Sequence, residues 1–410
     1  YIYTLFIIFV ENMFTHLLNY NVEEIIEKKS LEKTLRSKKK LKIKFGVDPT
    51  SPDLHLGHFL ILKKLKEFQD LGHQIILIFG DFTAQIGDPS ERDSERKPLS
   101  KKEVENNLKT YLSQITKFLD INKIKIEKNS KWFSKMKLEE FIKIASNFTW
   151  QKISRREDFQ KRIRNGIPVF LHEVLYQVLQ AYDSVKIKAD VEIGGRDQKL
   201  NMLAGRDLMK AMGLKPQEVI TLPLLPGIDG KEKMSKSKGN YIGILEKPEE
   251  KFGKIMSIPD ELIVPYFKFL TNISHRTISK LKEDIKKSRV NPRDLKAKLA
   301  REIISQIDGD KAAKIAEEEF NKVFKEKKLP SKIPTFIFKK NVFPILDILK
   351  ETGLCKSNKE AKRLLEEGAV KIKIPGEEFK VVKDWNHKIT LKNNTVIQVG
   401  KRKFIKINCI

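Results

Sequence analysis

The chain has 410 residues and a formal net charge of +27, from 81 lysines and arginines against 54 acidic residues. This length fits two or three domains, and 40% hydrophobic residues suffice for a sizeable core. This charge favours a polyanionic partner, first of all a nucleic acid. The less favoured alternative is that codon bias and solubility account for the lysines, because they are spread along the whole chain. The two cysteines, Cys355 and Cys409, lack metal-ligand spacing, which excludes a cysteine-bound metal and fits a reducing cytoplasm.

Residues 1–20 are expected to be a non-native or disordered extension, with Met13 as the true start. Residues 1–10 are almost wholly apolar and contain no methionine. They have no basic segment and no small-residue cleavage site, and they fall far short of the ~20 residues of a membrane-spanning helix. We therefore expect neither a signal peptide nor a membrane anchor. Residues 22–29 and 31–37 are predicted as two short amphipathic helices, the second capped by Ser30.

A strand is predicted where apolar residues alternate with lysines over residues 41–45, and a helix where an apolar stripe begins at Leu56. The turn between them carries His55 and His58, which share one face of a first helical turn. Gly57 lets a ligand approach the backbone there. A helix N-terminus suits phosphate, and two imidazoles can donate to phosphate oxygens, although an isolated pair of this kind is as often a surface feature.

The next segments continue a strand–helix alternation. Residues 74–80 form a predicted buried strand whose end leads into the loop 81–90, and Ser100 with Glu103 forms a capping box for a helix to about residue 119. Another strand follows near residues 124–126. Residues 132–166 are a charged helical insertion. Its basic cluster is either a solvated helix face or an RNA contact, and consists of Arg155, Arg156, Lys161, Arg162 and Arg164.

A helix over residues 170–183 places Tyr176, Gln180 and Asp183 on one face. Its other faces are too apolar for a free surface helix, so the three polar groups are predicted to line a pocket rather than form a surface stripe. The strand 190–195 ends in a double glycine that admits a ligand, a helix follows to about residue 212, and residues 220–225 form one more buried strand. This alternation predicts a Rossmann-like parallel sheet within residues 21–245.

Downstream, a lysine- and serine-rich loop at 230–240 would, by itself, be a solvated charge run. Residues 246–327 are predicted to be a helical domain, 328–340 a linker and 341–410 a small α+β domain. The last domain is expected to bind RNA through a basic face. The residues predicted for that face are Lys356, Lys359, Lys362, Arg363, Lys401, Arg402 and Lys403.

Two of these segments together resemble the signatures of the class I aminoacyl-tRNA synthetases. They are the turn at 54–58, Leu-His-Leu-Gly-His, and the loop at 233–237, Lys-Met-Ser-Lys-Ser. With Asp48-Pro49-Thr50, Gly87-Asp88-Pro89, the face at 176–183 and the segment 194–198, the chain resembles a bacterial tyrosyl-tRNA synthetase from about residue 22 onwards. The tail resembles the RNA-binding module first known from a ribosomal small-subunit protein, and the resemblance implies that the helical domain 246–327 lies on the anticodon side.

The resemblance implies a role for individual residues. Catalysis and triphosphate contacts would involve Thr50, His55, His58, Lys233 and Lys236. Other contacts with ATP would involve Gly46, Asp48, Gly57, Gly195, Asp197, Met234, Ser235 and Ser237. The tyrosine pocket would consist of Thr83, Asp88, Tyr176, Gln180, Asp183 and Gln198. Asp183 would accept a hydrogen bond from the phenol hydroxyl, and Tyr176, Gln180 and Asp88 would hold the amino group. Gln198 would lie near the substrate carboxylate.

Two positions depart from part of the family. Lys44 stands where some members have a tyrosine that contacts the substrate phenol, and Phe45 stands where some have a cysteine near the ribose. Recognition of the substrate phenol therefore depends more on Asp183. Implied substrates are L-tyrosine, ATP and tRNA(Tyr), with Mg²⁺ carried by the triphosphate and no metal bound by the protein itself. A cytoplasmic homodimer is also implied.

Three other functions remain open from the sequence. A tryptophanyl-tRNA synthetase has the same architecture, but an apolar residue is more usual there at the position of Gln180. A non-catalytic RNA-binding relative would not need His55 and His58 or the two lysines of the loop. Another nucleotidyl transferase is disfavoured by the terminal RNA module. Tyrosine activation by adenylate formation, then transfer to tRNA, is the favoured prediction.

Overall fold

In the computed structural model, the described residues are 13–37, 39–89, 99–324, 326, 329–331, 333–339, 342–400 and 403–410. The chain forms two compact units, Tyr1–Ala313 and Lys314–Ile410. The division between them falls inside the helix Asp310–Phe324. The boundaries expected near residues 246 and 328–340 stay predictions. None of the helices within the described ranges is long and apolar enough to cross a membrane.

The first unit is built on a six-stranded sheet with the order β1-β6-β5-β2-β3-β4. Its strands are β1 Glu24–Ile26, β2 Lys42–Val47, β3 Gln74–Phe79, β4 Ile124–Lys128, β5 Val191–Gly195 and β6 Glu218–Leu222. All neighbours pair in parallel except β1, which pairs antiparallel with β6 at the edge. The central strands are buried on both faces, as expected for a parallel sheet covered by helices. The predicted α/β Rossmann-like fold is confirmed.

Helices connect and cover these strands. They are α1 over residues 13–19, α2 Lys28–Arg36, α3 Leu56–Asp70, α4 Lys101–Ile115, α5 Ser130–Phe133, α6 Leu138–Ala145, α7 Trp150–Ser154, α8 Glu157–Arg164, α9 Leu171–Ile187 and α10 Lys199–Ala211. The helical part that follows consists of α11 Pro248–Met256, α12 Ile263–Leu270, α13 His275–Lys286, α14 Pro292–Asp308 and α15 Asp310–Phe324. The predicted capping box of Ser100 and Glu103 is present at the start of α4.

The start of the chain differs from its prediction. Residues 1–12 lie outside the described residues, but residues 13–20 are not a disordered extension. Leu17 and Tyr20 are buried, and the Lys64 ammonium donates to the Leu17 carbonyl at 2.9 Å. The first predicted short helix, over residues 22–29, is wrong in part, because Glu24–Ile26 forms the edge strand β1. Backbone pairing with β6 outweighs the local helical pattern of so short a segment.

The basic cluster of the helical insertion is also corrected in part. Arg162 is 1% exposed and its guanidinium lies 2.7 Å from the carboxylate of Glu173. Arg156 is 4% exposed and pairs with Asp158 at 2.8 Å. Both arginines are therefore internal, so neither the solvated face nor the RNA contact describes them. Arg155 is exposed.

The second unit contains a five-stranded sheet of order β10-β9-β12-β13-β7 and a two-stranded sheet of β11 and β8. Its elements are β7 Thr335–Phe338, β8 Val342–Pro344, α16 Ile345–Glu351, α17 Asn358–Glu366, β9 Val370–Lys373, β10 Lys380–Val381, β11 Lys388–Thr390, β12 Thr395–Val399 and β13 Lys403–Cys409. Strand β7 lies within the range predicted as a linker and pairs with β13, so this sheet begins before residue 341. Apart from β7, these helices and strands lie within the range predicted to be a small α+β domain.

Candidate active site

A cavity of about 450 Å³ opens at the carboxyl ends of β2, β3 and β5, where open α/β sheets bind ligands. Every residue predicted for catalysis, ATP binding and tyrosine binding lines it. These residues are Gly46, Asp48, Thr50, His55, Gly57, His58, Thr83, Asp88, Tyr176, Gln180, Asp183, Gly195, Asp197, Gln198, Lys233, Met234, Ser235, Lys236 and Ser237. Segments from five parts of the chain therefore meet at one place.

The two histidines at the start of α3 are neutral donors. Nδ1 of His55 accepts from the Gly57 N–H at 3.2 Å, and Nδ1 of His58 accepts from the His55 N–H at 3.3 Å. Burial lowers the pKa of His58 to about 3, and burial, with the neighbouring His58, holds the pKa of His55 well below its usual range. A neutral imidazole that accepts at Nδ1 carries its proton on Nε2. Both rings therefore offer an N–H while carrying no charge.

The lysine loop is anchored on both sides of the cavity. The Met234 N–H donates to the Leu225 carbonyl at 2.8 Å, and the Ser235 N–H donates to the Asn240 side chain at 2.8 Å. The ammonium of Lys233 lies 2.8 Å from Asp197. The segment after the loop returns to the histidine turn, where the Leu56 N–H donates to the Ile242 carbonyl at 3.0 Å. The two signatures are thus held together by backbone hydrogen bonds.

Lys236 is the more enclosed lysine of the loop. Its ammonium bonds the Ser51 hydroxyl and lies 5.5 Å from the centre of the Tyr111 ring. Burial lowers its pKa to about 8, against the opposing effect of Asp53. It is therefore a cation at neutral pH that loses its charge in mildly alkaline solution.

At the other end of the cavity, Asp183 is held by two donors. Nε1 of Trp132 donates to Oδ1 at 2.9 Å, and Nδ2 of Asn129 donates to Oδ2 at 3.4 Å. Burial raises the pKa of Asp183 to about 7, although the Lys44 charge and both donors act to lower it. The two donors hold Asp183 in one orientation, in which its ionised form can accept a hydrogen bond from a hydroxyl group that enters the cavity.

A second carboxylate of the cavity, Asp48, is linked to Asp183 through hydrogen-bonded side chains. Asp48 accepts from the Thr83 hydroxyl at 2.8 Å and from the Tyr176 hydroxyl at 3.1 Å. Burial and the Asp48 charge hold the pKa of Tyr176 well above its usual range, so its phenol remains a donor. Asn129 also donates to the Thr83 hydroxyl at 3.0 Å, so Asp48 is connected to Asp183 through this hydroxyl and the Asn129 amide. Asp48 and Asp183 are thus fixed by a shared network.

Two amide side chains of the cavity differ in their bonding. Gln198 donates to Asp88 at 2.7 Å, so its amide is already oriented. Oε1 of Gln180 is buried and, within the described part of the chain, has no hydrogen-bond partner. A buried acceptor without a partner is unfavourable, and a ligand that donates to it would relieve this penalty.

Two glycines leave room for a ligand or for a neighbouring carboxylate. A Cβ atom on Gly46 would meet nothing within 4 Å, so the space above it is open to the cavity. A Cβ atom on Gly195 would lie 2.5 Å from the Asp197 carboxylate, so a side chain there would displace Asp197 from its present position. Both positions end strands at the edge that carries the cavity.

Some site residues escaped the sequence reasoning. Trp132 and Asn129 lie at the start of the insertion, and no motif or periodicity marks them as partners of Asp183. Lys44, noted only as a departure from the family, lies 2.8 Å from Glu192 in a buried ion pair. The available signal was its place on a strand of a parallel sheet, because such strands are covered on both faces and a buried lysine needs a partner.

The basic face predicted for the C-terminal module is placed in part. Lys356, Lys359 and Lys403 are exposed, while Lys401 and Arg402 lie outside the described residues. The Lys362 ammonium lies 3.8 Å from the ring centre of Trp385, an exposed aromatic side chain. Arg363 is exposed and pairs with Glu367 at 2.8 Å. This unit therefore offers cations beside an aromatic ring, a combination suited to nucleotides.

Comparison with known proteins gives one family. A family model described as class I tRNA synthetases (W and Y) matches residues 36–325. The tyrosine–tRNA ligase of Carboxydothermus hydrogenoformans is 48% identical over 393 residues, covering 94% of this chain and 93% of that protein. The ligase of Haemophilus influenzae is 45% identical over 390 residues, covering 95% of each. That of Thermotoga maritima is 45% identical over 394 residues, covering 96% of each.

Solved structures share the fold. A C-terminally truncated mitochondrial tyrosyl-tRNA synthetase of Coccidioides posadasii has a TM-score of 0.60 at 22% identity, covering 75% of this chain and 90% of that one. The tyrosyl-tRNA synthetase of Archaeoglobus fulgidus, solved with L-tyrosine, has a TM-score of 0.59 at 22% identity. That comparison covers 75% of this chain and 99% of the other.

Proposed function

Because the chain belongs to the class I tRNA synthetases, and among them to the tyrosine–tRNA ligases, we propose how its residues divide the reaction. The enzyme joins L-tyrosine to ATP and transfers the tyrosyl group to tRNA. In the first step the tyrosine carboxylate attacks the α-phosphorus of ATP, and pyrophosphate leaves. The supporting observation is one cavity that unites the two signature segments with the Asp183 pocket.

The Asp183 end of the cavity holds the tyrosine side chain. The Asp183 carboxylate accepts a hydrogen bond from the phenol hydroxyl, and Trp132 and Asn129 fix the orientation of this carboxylate. Phenylalanine offers no proton there, so it would leave a buried acceptor without its partner, which disfavours binding. The unpaired Oε1 of Gln180 is the expected acceptor for the substrate ammonium, together with Asp88.

The opposite end holds the triphosphate. The Nε2–H groups of His55 and His58 donate to phosphate oxygens, and the ammonium groups of Lys233 and Lys236 supply positive charge. Because the reaction moves negative charge onto the leaving pyrophosphate, donors that are already oriented stabilise the transition state more than the ground state. Removal of one such donor typically lowers the rate by ~10²–10³. The open space above Gly46 and the edge at Gly195 and Asp197 receive the adenosine.

Mg²⁺ enters this scheme with its substrate. We propose that the ion is bound mainly by the phosphate oxygens and water, because Mg²⁺ keeps several waters and uses few protein ligands in nucleotide sites. The described residues contain no group of three His, Cys, Asp or Glu side chains that could hold a metal. The lysines of the loop would share the neutralisation of phosphate charge.

The C-terminal unit is proposed to bind tRNA(Tyr) through its exposed lysines, Arg363 and the ring of Trp385. Phosphate contacts of this kind supply affinity that falls with salt concentration. The homodimer is proposed to form through the helical insertion, where large apolar side chains are exposed. Leu138 and Ile142, four residues apart on α6, are 74% and 58% exposed. The cytoplasm, where tRNA charging takes place, is the proposed location, and the free thiols of Cys355 and Cys409 suit it.

The test is ATP–pyrophosphate exchange with tyrosine, tryptophan and phenylalanine measured in parallel. Exchange that depends on tyrosine alone is expected. Asp183→Ala is expected to lose discrimination between tyrosine and phenylalanine while its KM for ATP stays unchanged. Exchange with tryptophan by the wild-type enzyme would overturn the pocket assignment, and unchanged discrimination in Asp183→Ala would overturn the role of Asp183. Charging of tRNA(Tyr) transcripts then tests the second step.

A further inference from the structure

A chain of hydrogen bonds leads from the helical insertion into the tyrosine pocket. The Arg156 guanidinium donates through Nη1 to Oδ1 of Asn201 at 2.7 Å. Nδ2 of Asn201 donates to Oε1 of Gln198 at 3.0 Å, and Nε2 of Gln198 donates to Oδ2 of Asp88 at 2.7 Å. This series of hydrogen bonds thus joins four side chains, from Arg156, which immediately precedes α8, to Asp88 in the loop after β3.

The chemistry of the two ends sets the direction of every bond in between. A guanidinium can only donate, and an ionised carboxylate can only accept. With Arg156 at one end, the Asn201 oxygen must face it, which turns the Asn201 NH₂ towards Gln198. The Gln198 oxygen is then occupied as an acceptor, and its NH₂ faces Asp88. Neither amide can rotate by 180° without losing two hydrogen bonds.

The Arg156 end of this series of hydrogen bonds is rigid and buried. Asn201 is 1% exposed, and Arg156 is held by both oxygens of Asp158, at 3.1 Å through Nε and at 2.8 Å through Nη2. The Phe159 ring lies 5.0 Å from the guanidinium carbon. Such a bidentate pair fixes the plane of the guanidinium, so Nη1 is aimed at Asn201.

We propose that Arg156 and Asn201 are positioning residues for tyrosine, because they force Gln198 to present its NH₂ rather than its oxygen to the pocket. An amide with its NH₂ in the cavity holds Asp88 and offers a donor on the side of the substrate carboxylate. An amide turned the other way would place an oxygen against the Asp88 carboxylate and against the substrate carboxylate, and both contacts would be repulsive. The inference rests on the proposed tyrosine pocket, and extends it to two residues outside the cavity lining.

The decisive variant is Asn201→Asp. It keeps the size of the side chain and still accepts from Arg156, but it cannot donate to Gln198. The Gln198 amide then lies between two carboxylates and can donate to only one of them, so its NH₂ is no longer committed to Asp88 and the pocket. The KM for tyrosine in the exchange reaction is expected to rise roughly 10- to 100-fold, the usual effect of losing a hydrogen bond to a charged group. The KM for ATP is expected to stay within about twofold, which a general disturbance of the fold would not allow.

Two variants of Arg156 provide an independent measurement. Arg156→Met removes the donor and is expected to raise the KM for tyrosine about 3- to 10-fold, because the Asn201 oxygen loses the charged donor that orients it. Arg156→Lys keeps a donor and is expected to recover part of that loss. Arg155→Gln, at the exposed neighbouring position, is the matched control and is expected to behave like the wild type. Pyrophosphate exchange requires no tRNA, so a lost RNA contact cannot produce these effects.

Each outcome decides for or against the positioning role. A folded Asn201→Asp enzyme with a wild-type KM for tyrosine overturns it, and so does an equal rise in the KM values for tyrosine and ATP. Should Asn201→Asp fail to fold, the ratio of the two KM values in Arg156→Met and Arg156→Lys decides by the same criterion. Failure of the proposed function looks different, since the wild-type enzyme would then show no exchange with tyrosine.

Discussion

Replacing Trp132 by phenylalanine removes one hydrogen bond from Asp183, the proposed acceptor for the substrate phenol, and little else. The indole N–H donates to Asp183 at 2.9 Å, whereas the remaining donor, Asn129, lies at 3.4 Å. Asp183 has a pKa of about 7, raised by burial and by the Asp48 charge and lowered by Lys44 and the two donors. Loss of a donor destabilises the ionised form, so Trp132→Phe raises the pKa of Asp183 further.

The size of the effect follows from the charge on the acceptor. A hydrogen bond to a charged group contributes about 1.5–3 kcal/mol, and 1.36 kcal/mol corresponds to one pH unit. The acidic limb of kcat/KM for tyrosine is therefore expected near pH 7 in the wild type and about one to two pH units higher in Trp132→Phe. Since the ionised carboxylate is the stronger acceptor for a hydrogen bond from the phenol hydroxyl, activity falls as the pH decreases through this limb. At pH 7 the variant is expected to lose roughly 5- to 50-fold in kcat/KM.

The assay is pyrophosphate exchange at saturating ATP, with tyrosine varied at each pH from 5.5 to 9. The value of kcat/KM reports groups of the free enzyme, which is the state described by the structure. Trp385→Phe, in the C-terminal unit, is the matched control. An acidic limb at the same pH in Trp132→Phe and wild type would refute the assignment of Trp132 as a determinant of the Asp183 charge.

Three further changes test other parts of the molecule. Lys236→Arg is expected to abolish the fall of kcat/KM for ATP above pH 8, because the pKa of Lys236 is lowered to about 8 and arginine stays charged; exchange against pH measures it. Arg162→Met leaves the Glu173 carboxylate buried without its partner and is expected to lower the free energy of unfolding by about 3–5 kcal/mol in urea titrations, with Arg155→Met near wild type. Lys362→Ala is expected to raise the KM for tRNA(Tyr) several-fold and to reduce its salt dependence, with unchanged pyrophosphate exchange.

The cavity lining was predictable because it depends on local sequence and one topological rule. His55 and Asp48 follow β2, Thr83 follows β3, and Gly195 ends β5, so each motif could be placed at the carboxyl end of a strand. Parallel strands bring those ends to the same edge of the sheet. No contact had to be known in advance for these residues to converge.

The supporting residues were not predictable in this way, because their environment is supplied by distant elements. Arg156 and Arg162 were interpreted as surface charge from the composition of their own helix, yet each is buried by a partner outside it, Asn201 and Glu173. Sequence periodicity describes which face of an element is apolar, but a buried cation on a polar face depends on the shape of the opposing element. The pocket therefore combines motif residues that local sequence predicts with the positioning groups Trp132 and Arg156, which only the packed insertion brings to it.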